Sequence, residues 1–460
     1  MSPERRSSQL KVATFSPYPL TPETPDGVAQ FVLGIQPHLK RLGCNTELVG
    51  PKADKSFRND ADYTFGRTPF RFTHHGTNHP IPVSLRQAPA KRMLETILFD
   101  NNNDQNPDFV FDFHEPLLLG HYAHPIISAM PRRQDGKSIP TTIAHHHAQI
   151  EGSSLALRTA LYFAKMRLLK LEGGRVRRTQ GYANTIMDVF DGRIAVSHAT
   201  AATWSIPFPG NYEVIPNGFD TTKLTPDGPV IEEWKQDGKQ TIFFAGRHDE
   251  RKGLIYLIEA FALLKQERGD IKLKIAGYGS QTEDLQKLVQ ELGLEDVDFL
   301  GVLPREDLEK AYRSVDVVVC PSIGGEGFGR VIAEALSCAA LVVASDINGY
   351  REATGGNQPF ARLAKPEDPY DLARVINEVI NLPDEEKKRL GKEGRQHVVS
   401  NFDWENVAER TFNYYLTCLE NHGKAADEDW VKVEQARLKE HIIFQKAKTI
   451  FDRATHLMKR

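Results

Sequence analysis

The sequence predicts an α/β protein of two domains, each a parallel sheet covered by helices, facing one another across a cleft. Three observations carry this reading. The chain has 460 residues, more than one ordinary hydrophobic core serves, so two large domains follow. Short and nearly continuous apolar runs recur through its second half, separated by amphipathic stretches of helical period. Strands without polar alternation are buried on both faces, and a sheet built from them binds its ligands at the carboxyl ends of its strands.

In the first half, Val12 to Phe15 reads as a strand, followed by a proline-rich turn and, from Gly27, a helical pattern through Leu42 that stops at Gly43. Phe109 to Phe113, Thr141 to Ala144 and Arg193 to Val196 read as further buried strands. The stretch from Lys55 to Asn106 has little period and several prolines and asparagines, and is expected to be an insertion on the substrate side. After Ile206-Pro207-Phe208-Pro209-Gly210 the alternation is cleaner. Strands are expected at Thr241 to Ala245, Leu273 to Ala276, Val297 to Leu300, Val315 to Cys320 and Leu341 to Ala344. Helices are expected between them at Leu254 to Lys265, Glu283 to Leu292, Leu308 to Arg313 and Val331 to Ser337. The first domain is therefore assigned residues 1–208 and the second 209–403.

Composition excludes several classes of protein. With 40% hydrophobic and 26% charged residues and no apolar run of spanning length, a transmembrane protein is not expected. Arg5 and Arg6 are followed by Ser7, Ser8 and Gln9 and not by an apolar segment, so no secretory signal is read and a cytoplasmic location is expected. The four cysteines, Cys44, Cys320, Cys338 and Cys418, have no paired spacing and are expected to be buried apolar residues. A net charge of -3 offers no general attraction to nucleic acid, and none is expected as a partner.

The strongest local signal is Gly324-Gly325-Glu326-Gly327-Phe328-Gly329, between an apolar strand and a helix that carries Glu334. Glycines there let the backbone approach a ligand, and the helix N-terminus offers free N–H groups to a phosphate. Glu326 and Glu334, two turns apart, can both face the cleft, one toward sugar hydroxyls and one toward a ribose. A second loop, Gly246-Arg247-His248-Asp249-Glu250-Arg251-Lys252-Gly253, places Arg247 and Lys252 where fixed cations could meet the charge of a leaving diphosphate.

These motifs, together with Gly192-Arg193-Ile194-Ala195-Val196-Ser197, Ile215-Pro216-Asn217-Gly218, Ile275-Ala276-Gly277-Tyr278-Gly279 and Phe402-Asp403-Trp404, resemble the retaining GT-B glycosyltransferases. Within them the chain looks most like the phosphatidylinositol mannosyltransferases. The resemblance implies two Rossmann-like domains, with a helix at about 404–421 returning to the first, a tail at 422–460, and donor binding in the second. It implies that Glu326 of the Glu-x7-Glu motif meets the donor sugar, that Glu334 meets the ribose, and that Arg247 and Lys252 hold the diphosphate. Gly27, Gly277, Gly279, Phe328, Gly329, Arg330 and Val331 join the expected donor site. On the acceptor side Pro25-Asp26-Gly27-Val28 looks like a Pro-Gly-Gly-Val loop with Asp26 in place of the first glycine, and His114-Glu115-Pro116 recurs at a strand end. The single histidine of the family matches His146, with His145 as the other choice. Implied substrates are a nucleoside diphosphate sugar, GDP-mannose or a UDP-sugar, and a lipid or carbohydrate acceptor. No cofactor and no metal are expected. Three consecutive histidines on one strand alternate faces and cannot all bind one ion, and Asp60-Ala61-Asp62 lacks the surroundings of a metal-binding Asp-x-Asp.

One cluster of charge remains. Arg158, Lys165, Arg167, Lys170, Arg175, Arg177 and Arg178 are opposed only by Glu172, beside a leucine face at Leu157, Leu161, Leu168 and Leu171. Two readings stand: an ordinary surface helix, or a basic amphipathic helix that rests on an anionic membrane as a peripheral contact on the inner face. The lipid acceptors of the similar enzymes favour the second.

Overall fold

The computed structural model describes residues 10–15, 27–51, 63–65, 70–74, 77–81, 109–114, 141–146, 192–205 and 210–421. The basic segment 154–178, Asp26, the tail 422–460 and most of the expected insertion lie outside them.

The first unit opens with β1 (Lys11–Phe15), α1 (Gly27–Arg41) and β2 (Asn45–Pro51). After it come β3 (Tyr63–Phe65), the pair β4 (Phe70–His74) and β5 (Thr77–Ile81), then β6 (Phe109–His114), β7 (Thr141–His146), β8 (Gly192–Ala195), α2 (His198–Ser205) and β9 (Glu213–Val214). Its main sheet has seven strands in the order β3-β2-β1-β6-β7-β8-β9, every neighbouring pair parallel. The antiparallel β4–β5 pair falls inside the stretch where the sequence showed no period. Leu10, Val12, Phe31, Ile35, Leu39, Ile143 and Ile194 form the buried core.

The second unit runs β10 (Gln240–Ala245), α3 (Leu254–Glu267), β11 (Ile271–Ala276), α4 (Thr282–Glu291), β12 (Val297–Gly301), α5 (Arg305–Ser314) and β13 (Val317–Cys320). It continues with α6 (Arg330–Ser337), β14 (Val342–Ser345), α7 (Asn348–Thr354), β15 (Ala361–Ala364) and α8 (Pro369–Ile380). The sheet order is β12-β11-β10-β13-β14-β15, all parallel. Strand order reverses between β10 and β13. In sheets of this kind that switch point opens a crevice beyond the carboxyl ends of the two strands. β13 and β14 are buried at every position, as their unbroken valine-rich runs require.

The chain then returns. The helix α9 (Asp384–Phe402) leads into α10 (Trp404–Asn421), whose Trp404, Val407, Ala408, Phe412, Tyr415 and Cys418 join the core of the first unit. The two crossings between units pair with one another: Phe219 N–H donates to Phe402 O at 2.8 Å and Trp404 N–H to Phe219 O at 3.2 Å. The indole of Trp404 fills the space where a Cβ on Gly34 or Gly218 would stand, 2.2 Å and 2.0 Å from its ring atoms. All four cysteines are free and buried, as expected. Among the described residues no helix is long and apolar enough to cross a membrane.

Candidate active site

Both glycine-bearing loops named from the sequence flank the second sheet's switch point. The loop after β10 holds Arg247, Arg251 and Lys252, and the loop after β13 holds Glu326 and leads into the N-terminus of α6. Their backbones are in contact: Ile323 N–H donates to Arg251 O at 2.9 Å, and a Cβ on Gly253 (φ +62°) would lie 2.1 Å from Pro321 O. Glycine at 253 is therefore required twice, by its left-handed backbone and by the close approach.

This approach brings cations onto Glu326. Its Oε1 accepts from Lys252 Nζ at 2.8 Å, from Ser322 Oγ at 3.2 Å and from a guanidinium nitrogen of Arg251. Burial pushes the Glu326 carboxyl up, but Lys252 and Arg251 outweigh it and hold the group below the usual carboxylate range. Arg251, not singled out from the sequence, is thus a member of the cluster, and its place in Arg251-Lys252-Gly253 was the available signal. Arg247 is half-exposed, with Nη2 3.3 Å from Asp249 Oδ2. The α6 N-terminus opens beside these groups at Gly329, whose φ is +96°.

Glu334 sits deeper. Only 6% of its side chain is exposed; Oε1 meets Arg305 at 3.0 Å and Arg330 at 3.5 Å, and Oε2 accepts from the buried Tyr312 hydroxyl at 3.2 Å. Arg305, half-exposed at the start of α5, covers this carboxylate from the ligand side of the sheet. No sequence spacing pointed to it.

Several expected contacts have other duties. Phe328, expected at the donor, has a ring 2% exposed that packs in the core on Phe219 at 6.1 Å and Phe402 at 5.0 Å. Val331 packs partly buried against the same core. The Arg330 guanidinium stands over Phe219 at 5.1 Å. A Cβ on Gly277 would lie 1.8 Å from Gly246 O, and one on Gly279 2.4 Å from His248 O. These two glycines let the loop after β11 press on the Arg247 loop. His248, fully buried, ties that junction, with Nδ1 2.8 Å from Thr282 Oγ1, which also accepts from Gly279 N–H at 2.9 Å.

His146 has a buried ring, 4.1 Å from that of Trp204 in α2 and 5.8 Å from that of Tyr212. The neighbouring position, His145, is in backbone register with His114 of β6. β1 and β6 flank the first sheet's own switch point, which places Gly27, at the start of α1, and His114 near one another on its ligand side.

The units meet at the Glu326 loop. Thr200 Oγ1 of α2 donates to Gly327 O at 3.3 Å, and the His198 backbone N–H donates to Glu352 Oε1 of α7 at 2.6 Å. Among the described residues no group of three or more His, Cys, Asp or Glu could hold a metal ion.

Comparison with known proteins agrees with this geometry. Residues 231–397 match the family described as glycosyl transferases group 1, and residues 25–223 match glycosyltransferase family 4. A phosphatidyl-myo-inositol mannosyltransferase of Mycolicibacterium smegmatis is 32% identical over 241 residues, 52% of this chain and 60% of that protein. The chain thus spans about three fifths of that relative's length. An alpha-maltose-1-phosphate synthase of the same organism is 27% identical over 65% of this chain and 85% of its own. Among solved structures, Anabaena HepE with UDP and glucose superposes with a TM-score of 0.65 at 19% identity, covering 88% of this chain and 99% of that one. Two facing parallel sheets, a returning C-terminal helix and these neighbours together give the chain the GT-B fold of the glycosyltransferases.

Proposed function

We propose that the protein is a retaining hexosyltransferase using a nucleoside diphosphate sugar. The observation that carries this is the cluster of Arg247, Arg251, Lys252 and Glu326 at the switch point, beside the open N-terminus of α6. A diphosphate there meets two kinds of positive charge, side-chain cations and helix N–H groups. As the bond from the anomeric carbon to the diphosphate oxygen breaks, Lys252, Arg247 and Arg251 take up the developing charge. The acceptor hydroxyl attacks on the same face, and its proton passes to the leaving phosphate oxygen. Glu326, released from Lys252 as the diphosphate draws that cation away, orients the sugar hydroxyls. Glu334, on giving up its Arg305 contact, meets the ribose, and His146, with His145 as the second choice, supports the oxocarbenium-like state and orients the donor sugar.

GDP-mannose is the preferred donor, with a UDP-sugar second, and a phosphatidylinositol-type lipid is the preferred acceptor. The support is the likeness to the mannosyltransferase named above. A soluble sugar acceptor is the second reading, favoured by the broad match to alpha-maltose-1-phosphate synthase. In either case the enzyme acts from the cytoplasmic side. The test is a panel of nucleotide sugars assayed for turnover, with soluble sugars or phosphatidylinositol vesicles as acceptor. Turnover of GDP-mannose that persists in a chelator is expected. Loss in chelator restored by magnesium or zinc would overturn the reliance on side-chain cations.

A further inference from the structure

We infer that Tyr350 is a positioning residue for Glu326, acting through Ser322. The inference rests on the reading of Glu326 as the carboxylate that meets the donor sugar. Ser322 Oγ stands 2.6 Å from the Tyr350 hydroxyl and 3.2 Å from Glu326 Oε1, with Ser322 and Tyr350 both buried. A serine hydroxyl has one proton, and an ionised carboxylate only accepts. The Ser322 proton therefore goes to Glu326, and Tyr350 donates to Ser322. Burial, with the Glu326 charge nearby, holds the Tyr350 phenol well above the usual tyrosine range, so it has its proton to give. The chain of donors runs one way, from Tyr350 to Ser322 to Glu326.

Two features of the surroundings fit this role. A Cβ on Gly329 would lie 2.8 Å from Tyr350 Cδ1, so glycine there admits the tyrosine ring against the loop that carries Glu326. The helix α7 that bears Tyr350 is held to the first unit by Glu352, which accepts from His198 N–H at 2.6 Å. Position is the reason such a relay matters. The other partners of Glu326, Lys252 and Arg251, are cations that a donor diphosphate would draw away. Ser322 is neutral and has no such competitor, so it keeps its hold on the carboxylate when the donor is in place.

The test compares the full chain with Tyr350→Phe, Ser322→Ala and the double variant. Tyr350→Phe removes one oxygen and keeps the ring, so the fold is expected to survive. With GDP-mannose as donor, Tyr350→Phe should lower kcat about 5-fold and leave the donor KM within about 2-fold, the size of one coupled hydrogen bond. Once Ser322 is alanine, the same change should have no further effect on kcat. A Tyr350→Phe kcat within about 2-fold of wild type, or losses that multiply in the double variant, overturns the inference. Melting temperatures of the four proteins give a readout without donor: Tyr350→Phe should lower Tm in the wild-type background and leave it unchanged in Ser322→Ala. A wild-type protein inert toward every nucleotide sugar refutes the transferase reading. The melts then decide the relay by themselves, since additive shifts overturn it.

Discussion

Replacing Lys252 by alanine removes one of the cations assigned to the leaving diphosphate and one of the three donors on Glu326. The Lys252 ammonium is 2.8 Å from Glu326 Oε1 and its side chain is 19% exposed. Two unit charges at that distance interact by about 6 kcal/mol at an effective dielectric of about 20, an upper figure for the contact. Arg251 stays on the carboxylate, so much of that field survives the substitution. In the transition state, loss of one fixed charged donor costs about 3 kcal/mol, or roughly 10²-fold in kcat. The assay is the initial rate at saturating donor, with the melting temperature as a control for folding. A Lys252→Ala enzyme with kcat within about 3-fold of wild type would refute the assignment of Lys252 to the leaving group.

Three further outcomes follow from the same geometry. The Glu326 carboxyl lies below its usual range in the fold, so its contribution to stability is complete above the unfolded value of about 4.3 and is lost as pH falls through the lower folded value. In Lys252→Ala the folded value moves up toward the unfolded one, so that loss should be smaller and complete at higher pH, as melting curves between about pH 3 and pH 7 will show. Gly277→Ala, with its Cβ 1.8 Å from Gly246 O and a backbone φ of +122°, should destabilise the fold by about 3 kcal/mol or more in denaturant melts. Gly324→Ala, with open space around its Cβ, should leave stability within about 1 kcal/mol of wild type; equal losses would contradict the packing described. Neutralising Arg175, Arg177 and Arg178 together should weaken cosedimentation with anionic vesicles and leave donor affinity unchanged, and wild-type binding should fall with salt. Equal recovery with neutral vesicles would leave an ordinary surface and favour the soluble acceptor.

The second sheet was legible because its central strands, such as β13 and β14, are buried on both faces and so leave unbroken apolar runs such as Val317–Cys320. In the first half β2 escaped notice, since Glu47 interrupts its apolar pattern; Lys11, 2.7 Å away on the neighbouring strand, pairs with it. Glu326 and Lys252 stood out because each lies in a loop whose glycines mark close backbone approach. Their supporting partners did not: Arg305 reaches Glu334 across 29 residues, and Tyr350 reaches Ser322 across 28, distances no local motif encodes. A glycine or a phenylalanine beside a ligand loop reads as a ligand contact, and its packing duty stays hidden: Gly277 admits loop-on-loop packing and the Phe328 ring fills the core. The packing of the His146 ring is hidden in the same way, since its partners Trp204 and Tyr212 come from a later helix and loop.

The central claim is that a nucleotide-sugar diphosphate binds between the loop of Arg247, Arg251 and Lys252 and the loop of Glu326. Calorimetric titration of the full chain with GDP-mannose, repeated on Lys252→Ala, tests it most directly. Saturable binding by wild type, weakened at least about 10-fold in the variant, is the expected result. No binding of any nucleotide sugar by the wild type, or equal affinity in both proteins, would contradict it.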